Sequence, residues 1–135
     1  MTTIQTTLDA SYDDAVAAVR AALGDQGFGV LTEIDIQATL KTKLDVDVAP
    51  QVILGACRPQ LAHRALQAAP SVAALLPCNV VVRELAPGET LVEAVDPDAM
   101  LSVVADDSGE LAAVAADART RLVAALAALT SPEED

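Results

Sequence analysis

The strongest constraint on the fold is a short connection between two segments of strand-like composition. The segments run from Asn79 to Leu85 and from Thr90 to Val95, and both are rich in valine. Between them lies Ala86-Pro87-Gly88-Glu89, and a proline and a glycine side by side are typical of a tight hairpin connection. A hairpin joins antiparallel neighbours, so the sequence predicts at least one antiparallel strand pair.

Hydrophobic periodicity predicts further strands and helices on both sides of this hairpin. Strands are expected over residues 2–8, 28–34 and 51–56, the first of them at an edge or with one wet face. Helices are expected after the N-cap Ser11 up to Gly24 and Gly27, over residues 35–44, from Arg58 or Pro59 to Ala69, and over residues 111–129. A turn-like apolar stretch follows Pro70.

Helices interspersed with strands favour an α+β fold. We expect a two-layer sandwich with a largely antiparallel or mixed sheet and helices packed on one face. The length of 135 residues suits a single domain, which we place over residues 1–130, followed by an acidic C-terminal tail over residues 131–135. Because the chain has 28 alanines but only one Tyr and one Phe, its core must consist mainly of valine and leucine.

The charge balance excludes several kinds of partner. With 8 Lys plus Arg against 20 Asp plus Glu, the net charge is −12, which argues against nucleic acid and anionic membrane surfaces. The sequence has no run of 18 apolar residues, and its N-terminus lacks the basic and apolar segments of a secretion signal. We therefore expect a cytoplasmic protein whose two cysteines are thiols.

Cys57 is the most informative candidate for chemistry. If a helix begins just after it, its sulfur lies near unpaired backbone N–H groups, an arrangement that favours the thiolate. The equally weighted alternative is that Cys57 is a small buried apolar residue at a corner between strand and helix. Cys78 follows 21 residues later. If their strands are neighbours, the two thiols can approach and form a reversible disulfide or hold a soft metal such as Cu(I).

Other candidate ligands have simpler explanations. A structural zinc site normally needs four Cys or His ligands, and the chain has two cysteines and one histidine. That histidine, His63, is expected on the solvent-exposed face of its helix. The acidic pairs, Asp96-Pro97-Asp98 among them, have neither the ligand count nor the glycine of a calcium loop, so loop and cap roles are the better interpretation. Two lysines, Lys41 and Lys43, either attract an anionic ligand or, as the safer interpretation, pair with Asp45 and Asp47.

Several short motifs occur in a fixed order along residues 28–104. They are Leu40-Lys41-x-Lys43-Leu44, Gly55-Ala56-Cys57-x-Pro59-x-x-Ala62, Leu75-Leu76-Pro77-Cys78-Asn79-Val80 and Asp96-Pro97-x-x-Met100. In this combination the chain resembles the family called domain of unknown function 302. The resemblance implies a small α+β domain with a fold named after a thermophile representative, and it implies a homodimer. It implies no established reaction.

The resemblance also implies which residues belong to a site. It carries over Cys57 and Cys78 as motif positions, with Lys43, Asn79 and Asp96 as nearby polar members. Many relatives have an asparagine after the first cysteine, where this chain has Arg58. If that asparagine helps to bind a ligand in the relatives, the ligand or its charge is expected to differ in this chain.

Three functions follow as hypotheses. The first is a dimeric binding module with a pocket for a small ligand or soft metal near Cys57 and Cys78. The second is a thiol-dependent redox or sulfur-transfer enzyme with Cys57 as nucleophile and Cys78 as resolving thiol. The third is a dimerisation domain without a site, which would associate through a second apolar face of the last helix at Val123 and Ala127. The sequence names no cofactor.

Overall fold

A computed structural model of the chain describes residues 3–130. The fold is α+β and is built on one five-stranded sheet in the order β1-β5-β4-β3-β2. All four neighbouring strand pairs are antiparallel, so of the two predicted alternatives the sheet is antiparallel rather than mixed. The strands are β1 (Thr3–Leu8), β2 (Gly29–Asp35), β3 (Gln51–Cys57), β4 (Cys78–Ala86) and β5 (Glu89–Val95).

The predicted hairpin is confirmed as β4 and β5, and the first predicted strand lies at a sheet edge. Four α-helices accompany the sheet: α1 (Tyr12–Asp25), α2 (Ile36–Leu44), α3 (Pro59–Ala68) and α4 (Glu110–Thr130). The apolar stretch after Pro70 forms a first 3-10 helix (Pro70–Leu75), and a second one (Pro97–Ser102) follows β5. The predicted acidic tail lies outside the described residues.

Local sequence signals account for most helix ends. The hydroxyl of Ser11 accepts a hydrogen bond from the Asp14 N–H at 3.1 Å, which satisfies one of the free donors at the start of α1. The carboxylate of Asp35 does the same for α2, accepting from the Ala38 N–H at 2.9 Å. Asp45 ends α2 in the left-handed region, with a φ of 55°. The expected Ser11 cap and the short second helix are thus both confirmed.

Two buried clusters form the core. The larger one lies between one face of the sheet and helices α1 and α4, and valine, leucine and alanine supply most of it. The smaller one joins α3, the first 3-10 helix, Met100 of the second 3-10 helix and the first half of α4. Helix α4 contributes to both clusters. The short helix α2 buries none of its residues.

Within residues 3–130, no helix is both long enough and apolar enough to span a bilayer.

Candidate functional site

The two cysteines meet where β3, α3 and β4 come together. Cys57 is the last residue of β3, Arg58 is the N-cap of α3, and Cys78 is the first residue of β4. Strands β3 and β4 are neighbours, with Ala56 directly opposite Cys78. The approach of the two thiols requires that their strands be neighbours, and they are. Both cysteines are free thiols and half-buried.

A small cavity of about 30 Å³ lies at this corner, and both cysteines line it. Most of its other lining residues belong to the two core clusters or pack against them, so the cavity marks the place where the clusters meet. Four alanines, a residue with little side-chain volume, form part of the lining: Ala56, Ala62, Ala65 and Ala118. A space of this size has room for a water molecule or two, or for a single ion.

A second cavity of about 120 Å³ lies next to the first and is lined by β5 and the second 3-10 helix. Cys78 and Met100 line both cavities, so these two side chains form the wall between them. Asp96, which the resemblance assigns to the site, lines the second cavity and not the first.

Burial dominates the acidity of both thiols. It raises the pKa of Cys57 above the ordinary thiol value. It raises the pKa of Cys78 further, to about 11, where the negative charge of a Cys57 thiolate adds a smaller effect. The expectation that the start of α3 favours a Cys57 thiolate is therefore wrong. Both cysteines are protonated near neutral pH when the cavity is empty.

The backbone at the start of α3 explains why the helix does not activate Cys57. Pro59, its first residue, has no N–H. The N–H groups of Leu61 and Ala62 both donate to the Arg58 carbonyl, each at 3.0 Å. Few donors are left to stabilise a thiolate, so loss of hydration outweighs the helix dipole.

Arg58 adds a positive charge to the wall of the first cavity. Its Nε is buried and has no hydrogen-bond partner among the described residues. The side chain passes close to Gly27, where a Cβ would lie 3.0 Å from that Nε. Gly27 also has a φ of 84°, so both the backbone conformation and the closeness of Arg58 favour glycine there.

Asp96 has the cap role that the sequence favours for its acidic pair. One carboxylate oxygen accepts from the Asp98 N–H at 3.0 Å and caps the second 3-10 helix. The other oxygen accepts from Nε of Arg119 on α4 at 3.1 Å. Asp96 therefore ties the segment that carries Met100 to the longest helix.

Two residues suggested by the resemblance lie elsewhere. Asn79 is opposite Gly55 in the β3–β4 pair and is exposed, and its side chain points to the sheet face opposite that of Cys78. Lys43 is exposed on α2. Neither residue lines either cavity. The neighbouring Lys41 pairs with Asp45 at 3.0 Å and with Asp47 at 3.2 Å, which agrees with the safer interpretation of these charges.

Met100 is the site residue that our selection of candidates missed. It is 7% exposed and lines both cavities. Its position in the Asp96-Pro97-x-x-Met100 motif was the available signal. Within residues 3–130, no group of three or more His, Cys, Asp or Glu side chains is placed to hold a metal ion. His63 is exposed on α3, as expected.

The fold and the thiol corner define a small α+β domain with a five-stranded antiparallel sheet and two cysteines beside an internal cavity. The family model described as "Domain of unknown function DUF302" matches residues 4–129, and the chain belongs to this family.

The fold is also similar to a crystal structure of an uncharacterized conserved DUF302 protein from Bacillus stearothermophilus. The two chains are 29% identical, the match covers 96% of this chain and 98% of that one, and the TM-score is 0.85. None of the curated proteins matches this chain.

Proposed function

We propose that this domain is a dimeric binding module whose site is the cavity beside Cys57 and Cys78, and whose ligand is a small molecule or a soft metal ion. The observation that carries the proposal is that one cavity collects both thiols and the positively charged Arg58 in an otherwise apolar lining. A few polar or charged side chains that converge on an otherwise apolar cavity are typical of binding sites. Free thiols suit a reducing compartment, so we place the protein in the cytoplasm.

The pKa values of the thiols favour binding over catalysis. The competing hypothesis is a redox or sulfur-transfer enzyme with Cys57 as nucleophile and Cys78 as resolving thiol. A cysteine nucleophile reacts as its thiolate, and nucleophilic cysteines commonly have lowered pKa values. Burial raises the pKa of both thiols here. A metal ion can still displace their protons, because metal binding and deprotonation are coupled.

The size of the first cavity favours an ion over an organic molecule. Pockets for organic ligands usually have volumes of roughly 300–1,000 Å³. The cavity beside the thiols has about 30 Å³, and the one on the other side of Cys78 has about 120 Å³. The first has a volume that suits an ion and not an organic molecule.

The basis for proposing a dimer is the edge of the sheet at β2. This edge strand leaves backbone groups unpaired on one side, and such edges associate readily with another strand. Exposed apolar side chains occur along β2, the end of α2 and the loop that follows. They are Leu31, Ile34, Leu44, Val46 and Val48. A second copy of the chain would cover them.

Native mass spectrometry of protein purified under reducing conditions tests the binding proposal. The wild type is expected to retain a bound species, or to take up Cu(I) added as a probe. The double variant Cys57→Ala/Cys78→Ala is expected to lose that species while its circular dichroism spectrum stays the same. Lys43→Ala and Asn79→Ala serve as controls, because neither residue lines the cavity.

The proposal is wrong if the double variant binds whatever the wild type binds. It is equally wrong if the wild type retains nothing and takes up no Cu(I).

A further inference from the structure

We infer that Met100 is a third sulfur ligand beside Cys57 and Cys78, and that the site takes Cu(I). The inference rests on the proposed binding function and names the ion and its full set of donors. Its basis is that three sulfur-containing residues line a single cavity of about 30 Å³ in an otherwise largely apolar wall. Apart from the sulfurs and the charge of Arg58, the lining side chains are apolar.

The types of donor select the metal. Thiolate and thioether sulfur are soft ligands, and they favour Cu(I) over ions that prefer oxygen or imidazole. Structural zinc sites normally use four Cys or His ligands, and within residues 3–130 not even three His, Cys, Asp or Glu side chains are grouped for a metal. Two thiolates and a thioether are compatible with Cu(I) without a fourth donor.

The position of Met100 suits a ligand more than a simple filler of the core. It lies in the wall between the two cavities, next to Cys78. Its backbone is held in place, because its carbonyl accepts hydrogen bonds from Val103 at 3.2 Å and from Val104 at 2.9 Å. The Asp96 cap and its ion pair with Arg119 fix the start of the same helix. The unbranched methionine side chain can then bring its sulfur toward an ion.

The binding step balances in atoms and charge. Cu⁺ joins two thiols and one thioether, both S–H bonds break, two copper–thiolate bonds and one copper–thioether bond form, and two protons leave to solvent. No electron is transferred, and the bound centre carries a charge of −1. Arg58 lines the same cavity, and its positive charge offsets that of the centre.

The test measures Cu(I) affinity and sulfur coordination in three versions of the full-length protein. Affinity is measured by competition with a Cu(I) chelator under anaerobic reducing conditions, and coordination by X-ray absorption at the copper edge. The first version is wild type and the second is Met100→Leu, which removes the sulfur at similar volume. The third, Leu111→Ile, is a matched control, because Leu111 is buried in the same core cluster as Met100, lines neither cavity and has no donor atom.

We expect one Cu(I) with three sulfur ligands in wild type and in Leu111→Ile. Met100→Leu should show two sulfur ligands and an affinity lower by at least about tenfold, since even the loss of an outer-shell partner costs that much. Equal affinity and two sulfur ligands in all three proteins would overturn the role of Met100 and leave the two-thiol site standing. A wild type that does not bind Cu(I) would overturn the copper assignment altogether.

Discussion

Ala56 and Cys78 face each other across the β3–β4 pair, so their side chains lie on the same face of the sheet. The face is the one that carries the larger core cluster, to which Ala56 belongs. This register places Cys78 at the edge of the core and beside the residue that precedes Cys57. A shift of the register by one residue would turn Cys78 toward the opposite face. Strand pairing thus places Cys78 beside the end of β3, where Cys57 leads into α3.

Alkylation should be slow at both thiols. Because burial raises the pKa of Cys57 and raises that of Cys78 to about 11, both are expected to react with iodoacetamide more slowly than a free model thiol near neutral pH. Rates should keep rising from about pH 7 to about pH 10, with Cys78 the slower. Mass spectrometry of the two cysteine peptides measures this. Half-maximal alkylation of Cys57 below the pH of the model thiol would instead support the enzyme hypothesis.

Cu(I) affinity should depend steeply on pH. Both thiols have raised pKa values, so each gives up a proton when the ion binds. Below those pKa values, the release of two protons makes the affinity rise about a hundredfold per pH unit. Competition titrations near pH 6 and near pH 7 are enough to measure the slope. A tenfold slope would show that only one cysteine binds as a thiolate.

Removing the charge of Arg58 should weaken the copper site. Arg58→Gln leaves the −1 centre without its neighbouring positive charge, and we expect Cu(I) affinity to fall at least about fivefold. Arg58→Lys keeps the charge and should retain most of the affinity. The chelator competition compares the two variants. If both lose affinity equally, the contribution of Arg58 comes from its packing against Gly27 and not from its charge.

Gly55 should tolerate no side chain. A Cβ at this position would lie 2.7 Å from Cγ of Pro77 and even closer to Oγ1 of Thr32. We expect Gly55→Ala to lower the free energy of unfolding by about 1–3 kcal/mol, which is typical of overpacking. Gly24 is a matched control inside α1, because a Cβ there meets nothing within 4 Å and Gly24→Ala should stabilise by about 0.5–1 kcal/mol. Urea denaturation measures both, and equal values would contradict the steric explanation.

Charged residues at the β2 edge should dissociate the proposed dimer. Leu31 and Leu44 are each 66% exposed, the most of the apolar residues near this edge. The wild type is expected to sediment as a dimer and the double variant Leu31→Glu/Leu44→Glu as a monomer. Val123→Glu on α4 is the control for the other apolar surface. Dissociation by Val123→Glu alone would move the interface to α4, as the third sequence hypothesis has it.

Local sequence signals predicted the elements of the fold because their causes are local. The hydroxyl of Ser11 reaches a donor three residues ahead, and Pro87-Gly88 forms a turn from its own backbone preferences. The second 3-10 helix was not predicted, although a loop or cap role was expected for its cap Asp96. The hydrogen bond from Arg119 to Asp96, 23 residues away, was not predicted either. A contact between residues so far apart in the chain produces no periodic pattern in the sequence.

For the candidate site, the sequence identified the special residues but not their grouping. Cys57 and Cys78 could be selected because thiols are rare in this chain, and the family resemblance supported them. Met100 was not selected although it belongs to one of the motifs, since a buried methionine has the same pattern as any core residue. For Cys57 the sequence left an activated thiolate and a buried apolar residue as equal alternatives, because the proximity of a helix start can be read from the sequence, whereas burial and the use of its N–H groups cannot.

The sequence by itself therefore determined the order of strands and helices, the antiparallel hairpin and the pair of thiols, all of which depend on composition and neighbours in the chain. Only the tertiary structure decided that Cys57, Cys78, Arg58 and Met100 share one cavity. They come together because β3 and β4 pair in one register and because alanine-lined packing leaves a gap where the two core clusters meet. Space between elements is a property of packing, and no single segment encodes it.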